Sequence, residues 1–454
     1  MIKKRNLGAM SLLFVIFILL PFLTPSVYAV ENAPSISNNV DAACVINVEY
    51  QKVVAEKEMK KTIYPASTVK LMTALVAYKH FSEALTSLVT VTKPMLADVV
   101  GRNMGLEEGE QIQITDLLHA MLVGGYNDAA VILAHASSGS IDAFCEEMNT
   151  LAKMIGANNT HYTNPTGLHD DTMMTTAYDT ALVGLEVAKN DVLFAMTKAI
   201  KHTISKTNKS EDRTIYNRNP LITTGTTDEY YYSYAEGMSA GATDEGGDCV
   251  ITVGRIKSEL GPDVEELPDI LSYVCVVMGG RAASSNDDTN YACIEAKELL
   301  RYALVNYDIQ LVYSAKQTVG EIPVRFSPTE EFVNVKPQNN IYALLHNSVD
   351  LEKDIKIKEE IFPSLLEAPI EQGHPVGTAS ASYNGKLLGN TELITTDSIA
   401  SHGFLIFMYR TKQVTQHPIF IITLLLIVTA IVYYLLKRFP IGKNKDPHKR
   451  NRYF

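Results

Sequence analysis

The chain has 454 residues, of which 46% are apolar, with no tryptophan and a formal charge of −11. Such a length supplies at least two domains with sizeable cores, and the acidic balance excludes a surface built to bind nucleic acid or to adhere to anionic lipid heads. Five cysteines, at positions 44, 145, 249, 275 and 293, are an odd number without close pairs, which argues against a dense disulfide framework and against a zinc site.

Residues 1–29 combine Lys3, Lys4 and Arg5 with an apolar run from Leu12 to Leu23 and small residues at Val27-Tyr28-Ala29, the pattern of a secretory signal peptide. Residues 44–57 are predicted as two strands joined by a tight turn, directly before a helix that carries Ser67 on its first turn and runs to about Phe81. Helical periodicity follows over 115–137, 141–155 and 176–189, and strand character returns only at Asp248–Val253 and Leu271–Gly279, before a closing helix at Glu295–Tyr307. A sheet built from the two ends of a domain, with a helical cluster inserted between them, is the simplest arrangement. Cys44, Cys249 and Cys275 lie in apolar strand-like runs and read as buried thiols.

From about residue 309 the texture changes. Short strand-like pieces (Ile322–Arg325, Phe332–Val335, Ile341–Leu345, Ile355–Lys358 and Gly377–Tyr383) alternate with Gly, Pro, Asn and Asp, which predicts a separate all-β module. The expected division is therefore 1–29 signal peptide, 30–308 main domain, 309–401 β domain and 402–417 connector. Residues 418–436 follow as a membrane span and 437–454 as a tail. The span is rich in Ile, Leu and Val without a charge, and the tail sets seven Lys and Arg against a single Asp446. The positive-inside rule then puts the tail in the cytoplasm and the body outside the cell membrane. With the basic tail and leader set apart, the body carries about −20.

Ser67 and Lys70 are three residues apart, so one helical turn places both side chains on one face. A serine hydroxyl needs a nearby base to become a nucleophile, and a desolvated lysine can serve. His119, His135, His161 and His169 are scattered without ligand spacing and read as packing or surface residues, so no metal and no cofactor is implied. Glu107, Glu108 and Glu110 read as a solvated turn, and Asp170-Asp171 as a loop.

Five blocks in order carry a resemblance: YPASTVKLMTAL around Ser67, Gly105–Glu110, LLHAMLVGGYNDAAVILA at 117–134, Asn149 through GANNTHYTNPTGLHDD to Asp171, and AEGMSAGATDEGGDCVITVGR at 235–255. Together they resemble the D-alanyl-D-alanine carboxypeptidases of the low-molecular-weight penicillin-binding protein group, whose S-x-x-K, S-x-N and K-T-G motifs serve acyl transfer. The β module is similar to that family's C-terminal domain, including Ala368–Gly373. The resemblance implies a β-lactamase/transpeptidase-like α/β fold, an antiparallel sheet flanked by helices with an inserted helical cluster, followed by a small all-β domain and a C-terminal transmembrane helix. It implies Ser67 as acylated nucleophile, Lys70 as general base, and Asn127 as the amide that orients Lys70 and the substrate. Ser239, Gly241 and Ala242 are implied in substrate binding, with backbone N–H groups of Ser67 and Ala242 as oxyanion donors.

Two motifs depart from the family pattern. The S-x-N serine is Gly125, and K-T-G reads Ser239-Ala240-Gly241, so a hydroxyl and a cation are missing; Arg102 or Arg255 is an alternative source of charge. The implied ligands are peptidoglycan stem peptides, with β-lactams as covalent ligands and no nucleic acid. Two functions remain open on the sequence: a membrane-anchored serine D-Ala-D-Ala carboxypeptidase of weak or altered activity, and a catalytically impaired relative that binds wall peptides or a partner protein. The loop NPTGLHDD lacks the glutamate that a class A β-lactamase would need.

Overall fold

The computed structural model describes residues 34–224, 229–260, 264, 267–281 and 287–438; the predicted signal peptide and residues 439–454 of the predicted tail lie outside them. The described chain divides into two compact units, one made of the residues up to Ile309 with Leu344–Ser348, the other of Gln310–Ala343 with the residues from Val349 onward.

In the first unit, strands β1 (Ala42–Asn47) and β2 (Val53–Lys57) form a hairpin, and helix α1 (Val69–Phe81) follows a 3-10 turn at Ala66–Thr68. Then come β3 (Leu88–Thr90), the single turn α2 (Lys93–Ala97), β4 (Gln111–Gln113), α3 (Ile114–Leu122), α4 (Asn127–Ser138) and α5 (Ile141–Met154). Helices α6 (Ala177–Lys189) and α7 (Asp191–Lys198) precede β5 (Lys201–Ile204) and β6 (Arg213–Tyr216). The unit closes with β7 (Ala235–Thr243), β8 (Gly247–Lys257), β9 (Ile270–Gly280) and α8 (Tyr291–Asn306). The main sheet has the order β2-β1-β9-β8-β7 with every neighbour antiparallel, so the two ends of the unit meet in one sheet and β7 forms an edge.

Both faces of this sheet are covered. A Cβ at Gly184 of α6 would lie 2.6 Å from Ile251 and 2.8 Å from Val274, and a Cβ at Gly254, which points to the other face, would lie 2.7 Å from Leu300 of α8. Burial on both sides explains why β1 and β9 read as unbroken apolar runs rather than as alternating ones. All five cysteines are buried and free, and burial pushes their thiols up.

The structure adds α2, α7 and β7 to the elements expected in this unit, β7 standing ahead of the point where strand character was expected to return, and it differs in four further respects. The helix predicted over 115–137 is two helices, because Gly124-Gly125 end α3: Gly125 adopts φ +70°, its N–H reaches Met121 O at 3.1 Å, and Tyr126 N–H reaches Ala120 O at 3.2 Å. The hairpins β3–β4 and β5–β6 have no counterpart in the sequence pattern, since strands of three or four residues are too short to carry a period. Helix α8 starts four residues before its predicted start because Asn290 caps it, accepting the N–H of Cys293 at 2.9 Å. Glu110 is not solvated: it is fully buried and accepts from Arg213 and from Thr207, tying the β5–β6 hairpin to the turn before β4.

The second unit holds a six-stranded sheet in the spatial order Ile355–Ile361, Pro375–Tyr383, Lys386–Thr395, Phe332–Pro337, Gly320–Arg325 and Leu366–Glu367. Lys386–Thr395 is a strand beyond those expected, although Asn384-Gly385 before it supply the two positive φ angles, 48° and 77°, of a tight hairpin turn. The predicted connector is a helix, α9 (Gly403–Gln416), and α10 (Pro418–Arg438) follows it. α10 has 21 residues, a mean hydropathy of 2.8 over its most apolar window and no buried residue, so it is long and apolar enough to cross a membrane.

Candidate active site

Ser67 lies on the 3-10 turn, preceded by Ala66 at φ +47°. That left-handed backbone is uncommon for a residue with a side chain and concentrates at functional positions. The turn is braced from outside. Thr68 donates from both its N–H and its hydroxyl to Pro65 O, and Gly167 packs so tightly on Ala66 that a Cβ there would sit 1.9 Å from Ala66 O.

One turn later on α1, Lys70 is 2% exposed. Its Nζ stands 3.3 Å from Ser67 Oγ and 2.6 Å from Thr166 O. Burial lowers its pKa to about 7, with no neighbouring cation needed to do so. Thr73, a further turn along, donates to Pro165 O at 2.7 Å, so the Ser67 face of α1 clasps the loop Asn164–Leu168. Asn164 organises that loop by accepting from the backbone N–H of Thr166 and Gly167 and from the Thr166 hydroxyl. Asn149 of α5 anchors its start through paired bonds with the backbone of Tyr162.

On the other side of the nucleophile runs β7. Ser239 Oγ donates to Ser67 O at 3.3 Å, and a Cβ at Gly241 would fall 2.5 Å from Ser67 Cβ and 2.7 Å from its Oγ. Ala240 pairs with Val250 and Ala242 with Asp248 in the β7–β8 ladder. The structure thus assembles Ser67, Lys70, Ser239 and Gly241 at one place.

Asn127 is held by other partners than Lys70. It opens α4 and is 5% exposed, but its amide donates to Val100 O at 2.8 Å and its N–H to Arg102 O at 2.7 Å, and neither bond goes to Lys70. The residue held on Lys70 is instead Thr166, through a backbone carbonyl. Asp128, next to Asn127, is buried among backbone N–H groups of Met104, Leu106 and Ala129; burial raises its pKa, and the bonds fix the 104–106 loop against α4.

Of the two arginines considered as replacement cations, Arg255 is engaged elsewhere, 3.7 Å from Glu236 and 4.3 Å over the Phe194 ring. Arg102 borders the second motif: its Nε donates to Gly124 O at 2.9 Å and its guanidinium covers the Tyr126 ring at 4.8 Å. Arg218, which no motif singled out, stands beside Gly125, where a Cβ would lie 3.6 Å from Arg218 Cδ. The histidines are dispersed. His119 stacks on His202 at 3.8 Å, His135 meets Asp98, His161 sits in a β-bridge to Met174, and His169 lies between Asp171 and Glu245. Among the described residues no three His, Cys, Asp or Glu side chains gather as metal ligands would.

Comparison with known proteins identifies the two matched regions of the chain. The family model for D-alanyl-D-alanine carboxypeptidase matches residues 29–259, and the model for the C-terminal domain of penicillin-binding protein 5 matches residues 307–401. D-alanyl-D-alanine carboxypeptidase DacF of Bacillus subtilis is 26% identical over 410 residues, covering 88% of this chain and 97% of its own. DacC of Escherichia coli is 27% identical over 419 residues, covering 88% and 93%. Among solved structures, D-alanyl-D-alanine carboxypeptidase DacD from Francisella tularensis superposes with a TM-score of 0.58 at 23% identity, over 84% of this chain and 98% of that one. Penicillin-binding protein 5 from Haemophilus influenzae gives 0.57 at 21%, over 82% and 100%; these two likenesses are of fold. With half of the chain matched by one family model, and with the Ser67–Lys70 pair standing within that stretch, the chain belongs to the D-alanyl-D-alanine carboxypeptidase family.

Proposed function

We propose that the chain is a serine-type D-Ala-D-Ala carboxypeptidase that removes the terminal D-alanine of peptidoglycan stem peptides through an acyl-enzyme on Ser67. The observation that carries this reading is the buried Lys70 amine, 3.3 Å from Ser67 Oγ with its pKa lowered to about 7. As a neutral amine, Lys70 donates one N–H to Thr166 O and turns its lone pair to the Ser67 hydroxyl. It takes that proton while Oγ attacks the carbonyl carbon of the penultimate D-alanine. The peptide C–N bond then breaks, and the departing nitrogen needs a proton. Gly125 has no hydroxyl to relay one, so the Lys70 ammonium supplies it directly. A water then attacks the ester, giving its proton to Lys70, and Ser67 recovers its own.

The same burial sets the pH response. Lys70 is a base only when neutral, so acylation of Ser67 is expected to rise about tenfold per pH unit below 7 and to level off above it. A rate of penicillin acylation that stays flat between pH 5.5 and 8.5 would show that another group controls the step.

Localisation follows from the ends of the chain. With a signal peptide ahead of the body and α10 crossing the bilayer, the catalytic unit lies outside the cell membrane and the basic tail inside it. The acidic body keeps off anionic lipid, leaving α10 as the attachment. To test the enzymatic reading, full-length protein in detergent is incubated with a fluorescent penicillin and with a stem pentapeptide, alongside Ser67→Ala. Label and released D-alanine are expected on the parent and on neither count with the alanine variant. Absence of both from the parent over hours rejects the reading in favour of a binding protein.

A further inference from the structure

The loop Asn164–Leu168 sends its two kinds of backbone group to opposite sides. Its carbonyls face α1: Pro165 O accepts from the Thr73 hydroxyl at 2.7 Å and Thr166 O from Lys70 Nζ at 2.6 Å, one helical turn apart on one face of the helix. Its N–H groups turn the other way. Those of Thr166 and Gly167 donate to Asn164 Oδ1 at 3.1 and 2.9 Å, and the Thr166 hydroxyl adds a third bond to the same oxygen at 2.8 Å. Asn164 Nδ2 closes the loop by donating to Leu168 O at 3.0 Å.

These contacts are joined in pairs by single peptide groups. A trans peptide is planar and points its N–H and its C=O in opposite directions, so a bond that fixes one end aims the other. The Gly167 N–H and the Thr166 carbonyl are the two ends of one such group, held by Asn164 behind and by Lys70 in front. The Thr166 N–H and the Pro165 carbonyl are the ends of the preceding one, held by Asn164 and Thr73. One side-chain oxygen therefore aims both carbonyls at α1.

The aim matters to Lys70 because little else orients its amine. The side chain is buried, and among the described residues Nζ has Ser67 Oγ and Thr166 O as hydrogen-bond partners. A neutral amine carries two N–H groups and one lone pair in tetrahedral directions. With one N–H committed to Thr166 O, the lone pair can face Ser67 Oγ, 3.3 Å away. Without that carbonyl the amine turns freely about its last bond.

We propose that Asn164 is the positioning residue of the base: through the Thr166–Gly167 peptide it fixes the carbonyl that turns the Lys70 amine towards Ser67. The proposal rests on the reading of Lys70 as general base for its effect on rate, and not for the coupling between the two residues. That coupling has an electrostatic signature. Burial alone brings the Lys70 pKa to about 7, with no charged side chain contributing, so a carboxylate placed at position 164 would act on it unopposed. The side-chain oxygen there lies within about 8 Å of Lys70 Nζ, two hydrogen bonds and one peptide group away.

The experiment compares the full-length parent in detergent with Asn164→Asp and Asn164→Ala, by the rate of acylation by a fluorescent penicillin across the pH range on both sides of neutrality. Asn164→Asp keeps the accepting oxygen and adds a negative charge that favours the ammonium. The midpoint of its pH profile is expected to rise by about one unit, while the rate above that midpoint recovers most of the parent's. Asn164→Ala releases both peptide groups. It should lower the rate at high pH on the order of 10²-fold and leave the dissociation constant of the initial penicillin complex unchanged. A loss of thermal stability in Asn164→Asp with the parent's pH midpoint would mean that Asn164 only holds the loop together, and overturns the proposal. Acylation of Asn164→Ala within about threefold of the parent overturns it as well. Failure of the enzymatic reading appears separately, as absence of label on the parent. The Lys70 midpoint is then read from urea unfolding as a function of pH, where the same upward shift in Asn164→Asp is expected and its absence rejects the coupling.

Discussion

Lys70→Met is expected to lower the rate of Ser67 acylation by roughly 10³–10⁴-fold and, at the same time, to make the protein more stable. Both effects have one origin. The side chain is 2% exposed, and burial drops its pKa from 10.5 to about 7. Between those two values the unfolded chain binds the proton and the folded chain does not, so the stability of the parent protein increases as pH rises from 7 to 10.5. Below pH 7 the folded state holds a buried ammonium and the penalty is complete. Methionine has a similar length, needs no proton and removes this dependence. The gain is expected to be about 2–4 kcal/mol near pH 6 and to shrink towards pH 10, after allowing for the Thr166 carbonyl left without its donor. Urea unfolding of both proteins at pH 6 and pH 9.5 checks this. A Lys70→Met variant less stable than the parent at pH 6 would mean that the amine is solvated after all, and the argument for a neutral base would fall with it.

Gly241→Ala should be nearly as damaging to function, for a reason of space. A Cβ there would stand 2.5 Å from Ser67 Cβ and 2.7 Å from Oγ, well inside normal contact. Ser67 cannot retreat easily, because its turn is fixed by Pro65 O and backed by Gly167. β7 can, since it is an edge strand, but moving it strains the Gly241–Cys249 register with β8. A shift of Ser67 displaces the nucleophile from Lys70, a shift of β7 displaces the strand that flanks it, and misplacement of about 1 Å costs on the order of 10²-fold in rate. The expected loss of stability is smaller, about 1–3 kcal/mol. Stopped-flow acylation by a fluorescent penicillin measures the first and thermal unfolding the second; acylation within about threefold of the parent would show that β7 yields freely.

The parts of the fold legible in the sequence were those that repeat a pattern over many residues. α1 is marked by Ser67 and Lys70 one turn apart, and β8 and β9 by short β-branched apolar runs of strand length. Single-residue events were not legible. The end of α3 depends on one φ angle at Gly125, and its helical pattern continues across the break. Glu110 looked like its solvated neighbours Glu107 and Glu108, because the arginine that buries it is 103 residues away. The principal partner of Lys70 was invisible for a different reason: Thr166 contributes a carbonyl, and every residue has one. Asn127 was the opposite case, a side chain whose family role suggested a bond to Lys70 while the structure gives its amide to Val100 O. Arg218 is brought beside Gly125 by its neighbours Asn217 and Asn219, which bond distant backbone groups, an arrangement with no local signature.

Gly125 also bears on how a hydroxyl could be placed at the break between α3 and α4. At φ +70° a serine would meet a backbone penalty of about 1–2 kcal/mol, whereas the room beside Arg218, at 3.6 Å, is ordinary. Gly125→Ser therefore starts with a handicap in the peptide chain itself, before any benefit to chemistry. Placing a hydroxyl there calls for a second change that relaxes the α3–α4 break, so Gly125→Ser alone is expected to do less than the pair.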